Sequence, residues 1–380
     1  MNLGLNYISD QFVFWNLKKI TKGYLQLIDT RGKEYFFGDN CSSLKAKLKI
    51  NDPGFSLQLL KKGSSGLAES YIKNEFETED LSSLIELCAR NIEITYKISG
   101  FFQFFLFKNF LSKNIFANTK ERSKKNISLH YDLGNEFFST WLDKTLTYSC
   151  GIFNSSKETL EKAQINKYNK LIDLIQPKPG DKILEIGCGW GGFAEYLAKN
   201  YDVKLDCITI SKKQFLFSKA RINHAKLNHK VNVRMLDYRD VNKKYDSIVS
   251  IEMIEAVGEK YLTHYFKTIK ENLVSGGRGA IQAIVIKDEL YDRYKTKEDF
   301  IQKYIFPGGF LPSIQSLKKY SNKSGLKIEE YHSYGSHYSS TLNKWRESFL
   351  NSWDDISRQG FNLSFKKMWD FYFAYCDAGF

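Results

Sequence analysis

The residues best placed to do chemistry are a run of glycines with an acid just ahead of it. Lys182-Ile183-Leu184-Glu185-Ile186 reads as a buried strand. It leads into Gly187-Cys188-Gly189-Trp190-Gly191-Gly192, and a helical pattern over Phe193–Asn200 follows. Glycines here permit a tight turn and let a ligand approach the backbone. The helix behind them offers N–H groups that have no partner within the helix. Taken alone, the loop fits a nucleotide cofactor or only a tight turn. A dinucleotide-binding loop favours an acid after the second strand, for the ribose. This chain has Thr209-Ile210-Ser211-Lys212-Lys213-Gln214 at that place, and its acid comes at the end of the third strand as Asp237-Tyr238. The six cysteines (Cys41, Cys88, Cys150, Cys188, Cys207 and Cys376) are scattered without metal-ligand spacing, which excludes a zinc finger and a disulfide scaffold.

The elements that must position these residues fall into three regions of the 380-residue chain. Residues 1–95 form a small α+β domain. Tyr24–Asp29 alternates like a half-buried strand, Thr30-Arg31-Gly32-Lys33 turns, Glu34–Phe37 returns, and Leu44–Ile50 alternates strictly. Helical patterns follow over Ser56–Lys62, Gly66–Asn74 and Asp80–Asn91. Residues 96–126 form an aromatic and basic linker helix. Phe101–Phe110 holds six phenylalanines, and Lys108, Lys113, Lys120, Arg122, Lys124 and Lys125 surround or follow them. Such a segment suits a membrane interface, or its rings pack between two domains. Residues 127–380 are α/β. The strand-like runs Lys182–Ile186, Lys204–Ile210, Asn232–Leu236, Ser247–Ile251 and Gly279–Ile286 alternate with helices, which predicts a mostly parallel sheet.

The net charge is +13. It suggests an anionic partner, or it reflects only a composition rich in Lys, Asn, Ile, Phe and Tyr. No nucleic-acid recognition motif accompanies it, so nucleic acid is not expected. No run approaches the roughly eighteen apolar residues of a spanning helix. Met1–Asp10 lacks the basic-then-apolar pattern of a secretory signal. A cytoplasmic protein peripherally associated with membranes is the expectation.

Glu185-x-Gly187-x-Gly189-x-Gly191 resembles the first motif of Rossmann-like methyltransferases dependent on S-adenosylmethionine. Further motifs, in order, are His130-Tyr131-Asp132-Leu133-Gly134-Asn135, Tyr148-Ser149-Cys150, Thr209-Ile210-Ser211 with Gln214, and Glu252-Met253-Ile254-Glu255-Ala256-Val257-Gly258. Then come Tyr304-Ile305-Phe306-Pro307-Gly308-Gly309, Leu311-Pro312-Ser313 and Tyr375-Cys376-Asp377-Ala378-Gly379-Phe380. In this order, over nearly the whole chain, they closely resemble the cyclopropane-fatty-acyl-phospholipid synthase family with its mycolic acid relatives. The early strand-and-helix region is similar to the N-terminal domain of bacterial members.

The resemblance implies a reaction. The alkene of an unsaturated acyl chain on a phospholipid takes the methyl of S-adenosylmethionine, a carbocation forms, and loss of a proton from the new methyl closes a cyclopropane. Such a cation needs shelter from water, aromatic faces and a base within reach. The implied base is bicarbonate, held by backbone groups of Cys150 and Ile284 and by the side chains of Glu255 and Tyr338. The implied cofactor pocket comprises Tyr148, Ser149, Glu185, Gly187, Gly189, Trp190, Gly191, Thr209, Ser211, Gln214, Asp237 and Tyr238. Cys376 matches a family cysteine motif, for which a structural role is expected. An anionic membrane surface and a second copy of the chain are the implied partners.

The chain departs from the family pattern at three places. Ala256 stands where the family usually has histidine. Gln282 stands where it usually has another, and a glutamine hydrogen-bonds an anion but carries neither proton nor charge at neutral pH. If the bicarbonate site is altered and the proton leaves elsewhere, the product is a methyl-branched or methylene chain. The third departure is the sheet. Leu326–Tyr331 is expected as a sixth strand, and the usual seventh, C-terminal strand is missing. Two other readings are a methyltransferase of soluble small molecules and a non-catalytic lipid- or nucleic-acid-binding protein on a decayed fold. The intact glycine loop and Glu255 argue against decay.

Overall fold

The alternating segments near the N-terminus form a sheet because each can bury one face. The computed structural model describes residues 3–100, 120, 122, 133–296 and 298–380. Helix α1 (Leu3–Leu17) comes first, then strands β1 (Tyr24–Ile28), β2 (Glu34–Gly38) and β3 (Lys45–Ile50). Asp29 closes the β1–β2 turn. Its carboxylate accepts the N–H groups of Arg31 at 2.9 Å and Lys33 at 3.0 Å, and Gly32 takes the left-handed φ of +81°. Helices α2 (Phe55–Lys62) and α3 (Ser64–Ile72), the short β4 (Phe76–Glu77), α4 (Leu81–Arg90) and α5 (Ile92–Gly100) follow. The sheet order is β2-β1-β3-β4. Leu25, Leu27, Leu48 and Ile50 point from it into a core shared with Phe55, Phe76 and Leu84. The Phe101–Phe110 segment lies outside the described residues.

The α/β region holds α6 (Asn135–Trp141) and α7 (Leu160–Ile175), then alternates strand and helix except where a short turn joins two strands. β5 (Lys182–Ile186) is followed by α8 (Gly192–Asn200), β6 (Lys204–Thr209) by α9 (Lys212–His224), and β7 (Val231–Met235) by β8 (Tyr245–Ile251) after a short turn. Next come α10 (Leu262–Asn272), β9 (Leu273–Gln282), α11 (Asp288–Tyr294) and α12 (Ile314–Lys323). The five strands run β7-β6-β5-β8-β9, all parallel. Apolar clusters cover both faces. One is built on Ile183, Leu205 and Val249, the other on Leu184, Ile186 and Ile248. That two-sided burial is why these strands read as apolar runs.

Two sequence expectations fail here. β9 begins at Leu273, six residues before the predicted Gly279. The added residues join β8 through a register irregularity between Tyr245 and Ser247. Leu326–Tyr331 is not a strand. Among the described residues no strand lies between it and β9, and an extended segment with no neighbour gains no ladder hydrogen bonds. Among the described residues, β9 is an edge.

The chain ends in α13 (Gly335–Asn351), α14 (Trp353–Arg358) and α15 (Leu363–Asp377). The sequence groups these helices with the α/β region. The compact units instead are residues 1–114 with 338–380, and residues 115–337. The physical reason is a buried polar junction within the first unit. Asp370 accepts Nε of Arg346 at 2.6 Å and the hydroxyl of Tyr71 at 2.8 Å. Phe371 packs beside Tyr71, with ring centroids 6.2 Å apart.

Candidate active site

In a parallel α/β sheet, ligands bind beyond the carboxyl ends of the strands, where strand order reverses. Here that point is the end of β5, between β6 and β8. The glycine loop lies there. Gly187, Gly189 and Gly191 all have left-handed φ, at +83°, +52° and +80°. A Cβ on Gly187 would meet Cγ of Met253 at 2.9 Å, whereas one on Gly189 would meet nothing within 4 Å. The loop is closed beneath and open at Gly189.

Under the loop, Glu185 is 2% exposed, and its Oε2 has no hydrogen-bond partner. Burial pushes its carboxyl up to about 7, against a smaller opposing effect from the Cys207 thiol. An orphaned buried carboxylate oxygen, an open glycine and a helix N-terminus together fit a nucleoside cofactor.

The other predicted cofactor residues divide. Thr209, Ser211 and Gln214 bond to one another at the start of α9. The Thr209 hydroxyl donates to Gln214 Oε1 at 2.9 Å, and Ser211 Oγ accepts the Gln214 N–H at 3.3 Å. Asp237 sits at the end of β7 in a two-point pair with Arg239, whose Nε and second guanidinium nitrogen lie at 2.8 and 2.7 Å. Burial pushes the Asp237 carboxyl up, but Arg239 more than reverses this and leaves it below the ordinary range. Tyr238 packs inward, edge-on to Tyr265. Trp190 also turns inward. Its ring lies 4.9 Å from Phe138, and its N–H donates to Asn135 at 2.9 Å. Tyr148 stands among the rings of Phe138, Trp141 and Phe306.

The ends of β8 and β9 build a second cluster. Their register pairs Ile251 with Gln282, so the next residue, Glu252, bonds its N–H to the Gln282 carbonyl at 2.9 Å. Its side chain returns the contact. Glu252 Oε1 accepts the Gln282 amide at 2.7 Å and the Cys150 N–H at 2.9 Å. The Gln282 amide also donates to the Cys150 carbonyl at 3.2 Å. Glu252 holds a left-handed φ of +46°, which costs a non-glycine residue energy and persists only where the surrounding structure imposes it. One helical turn on, Glu255 Oε1 accepts the Ile284 N–H at 2.5 Å, and Glu255 Oε2 is buried without a partner. Burial first, and the Glu252 charge second, push the Glu255 carboxyl well up.

Cys150, Glu255, Gln282 and Ile284 therefore meet, as predicted residues, around one that sequence reasoning missed. The backbone donors assigned to bicarbonate are engaged by carboxylates: the Cys150 N–H by Glu252 and the Ile284 N–H by Glu255. Tyr338 and Cys376 belong to the first unit. There Tyr338 stacks on Phe380 with centroids 4.3 Å apart, and Cys376 is half-buried near the end of α15. Among the described residues, no cluster of His, Cys, Asp and Glu could hold a metal ion.

A parallel sheet in this order, with an acid-led glycine loop at its switch point, defines the Rossmann-like methyltransferases that use S-adenosylmethionine. Within that class the chain belongs to the mycolic acid cyclopropane synthetase family, whose profile matches residues 118–380. It is 34% identical to the tuberculostearic acid methyltransferase UfaA1 of Mycobacterium tuberculosis, over 84% of this chain and 76% of that one. It is 33% identical to the cyclopropane-fatty-acyl-phospholipid synthase of Escherichia coli, over 89% and 85%. Among solved structures, the mycolic acid cyclopropane synthase CmaA1, complexed with S-adenosylhomocysteine and CTAB, superposes with a TM-score of 0.59. That match has 26% identity and covers 67% of this chain and 91% of that one. The protein is an S-adenosylmethionine-dependent methyltransferase.

Proposed function

We propose that the protein methylates the double bond of an unsaturated acyl chain carried on a phospholipid, and that a carboxylate of its own takes the proton released. S-adenosylmethionine supplies the electrophilic methyl. The alkene π pair forms the new carbon–carbon bond and leaves a cation on the neighbouring carbon. Proton loss from the new methyl at that stage closes a cyclopropane. If a hydride first shifts from the methyl-bearing carbon, the same proton loss leaves a methylene branch.

The bonding of Glu252 carries this reading. Two N–H donors converge on its Oε1, which favours the ionised carboxylate, the form able to take up a proton. Hydrogen bonds to a carboxylate also lower its basicity. A weaker base, with no proton-carrying group at Gln282 to help it, leaves time for the hydride shift. We therefore favour the methylene product, which is also consistent with the similarity to a tuberculostearic acid methyltransferase. The cyclopropane remains the second reading, on the 33% identity to the Escherichia coli synthase.

The test uses labelled S-adenosylmethionine and vesicles of monounsaturated anionic phospholipid. Recovered fatty acids should gain one CH2 and show exomethylene protons. High-field ring protons would give the cyclopropane reading instead, and no gain in mass would remove the lipid assignment.

The substrate reading requires access to a membrane surface. Among the described residues no helix is long and apolar enough to cross a bilayer. Helix α1 leaves Leu5, Ile8 and Trp15 exposed at 39%, 63% and 56%. Lys18 and Lys19 stand exposed at its end, with Lys19 Nζ 3.1 Å from the Trp15 ring centre. Apolar side chains with a tryptophan and flanking lysines suit an interface, and the +13 net charge favours an anionic one. Binding to anionic vesicles should weaken as salt rises. Binding that high salt leaves unchanged would count against the electrostatic part.

A further inference from the structure

Lys167 is the one lysine among the described residues that is 0% exposed, and the functional reading has given it no role. It lies on α7, in Leu160-Glu161-Lys162-Ala163-Gln164-Ile165-Asn166-Lys167. In the fold, Gln164 and Lys167 both face inward, one turn apart, onto the same residue of the Tyr148-Ser149-Cys150 segment. The Gln164 amide donates to the Ser149 carbonyl at 2.9 Å. Lys167 Nζ donates to the Ser149 hydroxyl oxygen at 2.5 Å. Ser149 is itself only 3% exposed.

We infer that Lys167 is a positioning residue, which turns the Ser149 hydroxyl into a hydrogen-bond donor aimed at the amino-acid carboxylate of the bound cofactor. The inference rests on Ser149 lining the cofactor site.

The chemistry follows from the hydroxyl. It has one hydrogen and two acceptor lone pairs. With Lys167 donating to the oxygen, the Ser149 hydrogen must point away from Lys167. An ammonium has no lone pair and can only donate to the serine, whereas a neutral amine could accept the serine hydrogen instead. Burial pushes the Lys167 ammonium down to about 8, while the nearby Glu252, Cys150 and Asp143 favour its charged form. Burying a lysine costs free energy unless it is paired, and a purely structural site would be filled more cheaply by a leucine or methionine. Ser149 also leads directly into Cys150, whose N–H holds Glu252, so the same clamp fixes both ends of the reaction centre.

Two ligands separate this role from simple packing. S-adenosylhomocysteine carries the carboxylate. 5′-Methylthioadenosine keeps the adenosine and the thioether but lacks the amino-acid group. Dissociation constants are measured by calorimetry for the full-length protein and for Lys167→Met, Ser149→Ala and the double variant. A hydrogen bond to a charged group corresponds to about ten- to a hundredfold in affinity. Lys167→Met and Ser149→Ala should each weaken S-adenosylhomocysteine by about tenfold or more, with 5′-methylthioadenosine within about twofold of wild type. The double variant should lose no more than the larger single effect. Equal losses for both ligands, or additive losses, would overturn the inference. If Lys167→Met does not fold, Ser149→Ala alone must show the carboxylate-specific loss, and its absence rejects the role. Failure of wild type to bind S-adenosylhomocysteine would sink the cofactor-site reading as well. A normal wild type with an unselective Lys167→Met would sink this inference alone.

Discussion

Glu252→Gln should lose about two to four orders of magnitude in kcat, the usual loss when a positioned base is removed, while binding S-adenosylhomocysteine with near wild-type affinity. The glutamine keeps the shape of the side chain and a carbonyl oxygen for the Cys150 N–H and the Gln282 amide, which now bond Glu252 at 2.9 and 2.7 Å. Only the capacity to accept a proton goes. Glu252→Ala makes a different prediction. It leaves the Cys150 N–H and the Gln282 amide without their acceptor, in a space the size of a small carboxylate. Added bicarbonate, formate or acetate should restore part of the activity of Glu252→Ala and none of that of Glu252→Gln. The wild type should turn over at the same rate in bicarbonate-depleted buffer. A Glu252→Gln enzyme with normal kcat, or a wild type that stalls without bicarbonate, would place the base elsewhere.

Much of the scaffold of this site could be read from the sequence, because parallel strands buried on both faces leave a strong local signal. β5 has the predicted bounds, and β6 differs from prediction by one residue. The start of β9 was hidden because Ser275-Gly276-Gly277-Arg278 reads as a turn, and only pairing with β8 makes it a strand. The helix α1 was not read from the sequence, and its apolar pattern does not mark its buried face. Leu5, Ile8, Phe12 and Trp15 have helical spacing, but Leu5, Ile8 and Trp15 face solvent. The inward face carries Ser9 and Asn16, whose side chains bond back to the carbonyls of Leu5 at 2.8 Å and Phe12 at 2.9 Å. Leu326–Tyr331 fails for the opposite reason: a good local pattern with nothing to pair against.

The candidate site divides in the same way. The glycine loop, Glu255 and Gln282 are visible as motif residues. Glu252 was in plain view in Glu252-Met253-Ile254-Glu255, but its role depends on the β8–β9 register, which is not local. Its left-handed backbone is equally invisible in sequence. Lys167 was hidden by type, since a lysine on a helix is ordinarily solvated. The signal that could have found it is its spacing from Ala163 and Gln164 on a face otherwise marked by Tyr168, Leu171 and Ile172.

Glu185→Gln should stabilise the ligand-free protein by an amount that grows with pH. In the fold, the Glu185 carboxyl is pushed up from 4.5 to about 7 by burial. The folded state therefore holds on to a proton that the unfolded chain releases nearer 4.5. Below that value the group is protonated in both states and costs nothing. As pH rises through the window toward 7, folding must either retain the proton or bury the charge, and stability falls. Above about 7 the loss is complete, at about 3 kcal/mol for a shift of this size. A glutamine has no such titration. Denaturant melts of wild type and Glu185→Gln should thus differ little at pH 5 beyond a constant offset, and diverge by about 3 kcal/mol by pH 8 in favour of the variant. A difference that stays flat from pH 5 to pH 8 would show that Glu185 ionises as an ordinary carboxylate. Glu255, also pushed up by burial, should steepen the wild-type decline in the same direction. The chain keeps two buried acids that weaken it near neutral pH, and such a cost is characteristic of groups retained for a ligand or a reaction. The proposal that Glu185 serves the cofactor predicts that the variant that gains stability at pH 8 binds S-adenosylhomocysteine more weakly than wild type. A variant that gained both stability and affinity would leave the buried acid beneath the glycine loop without a function.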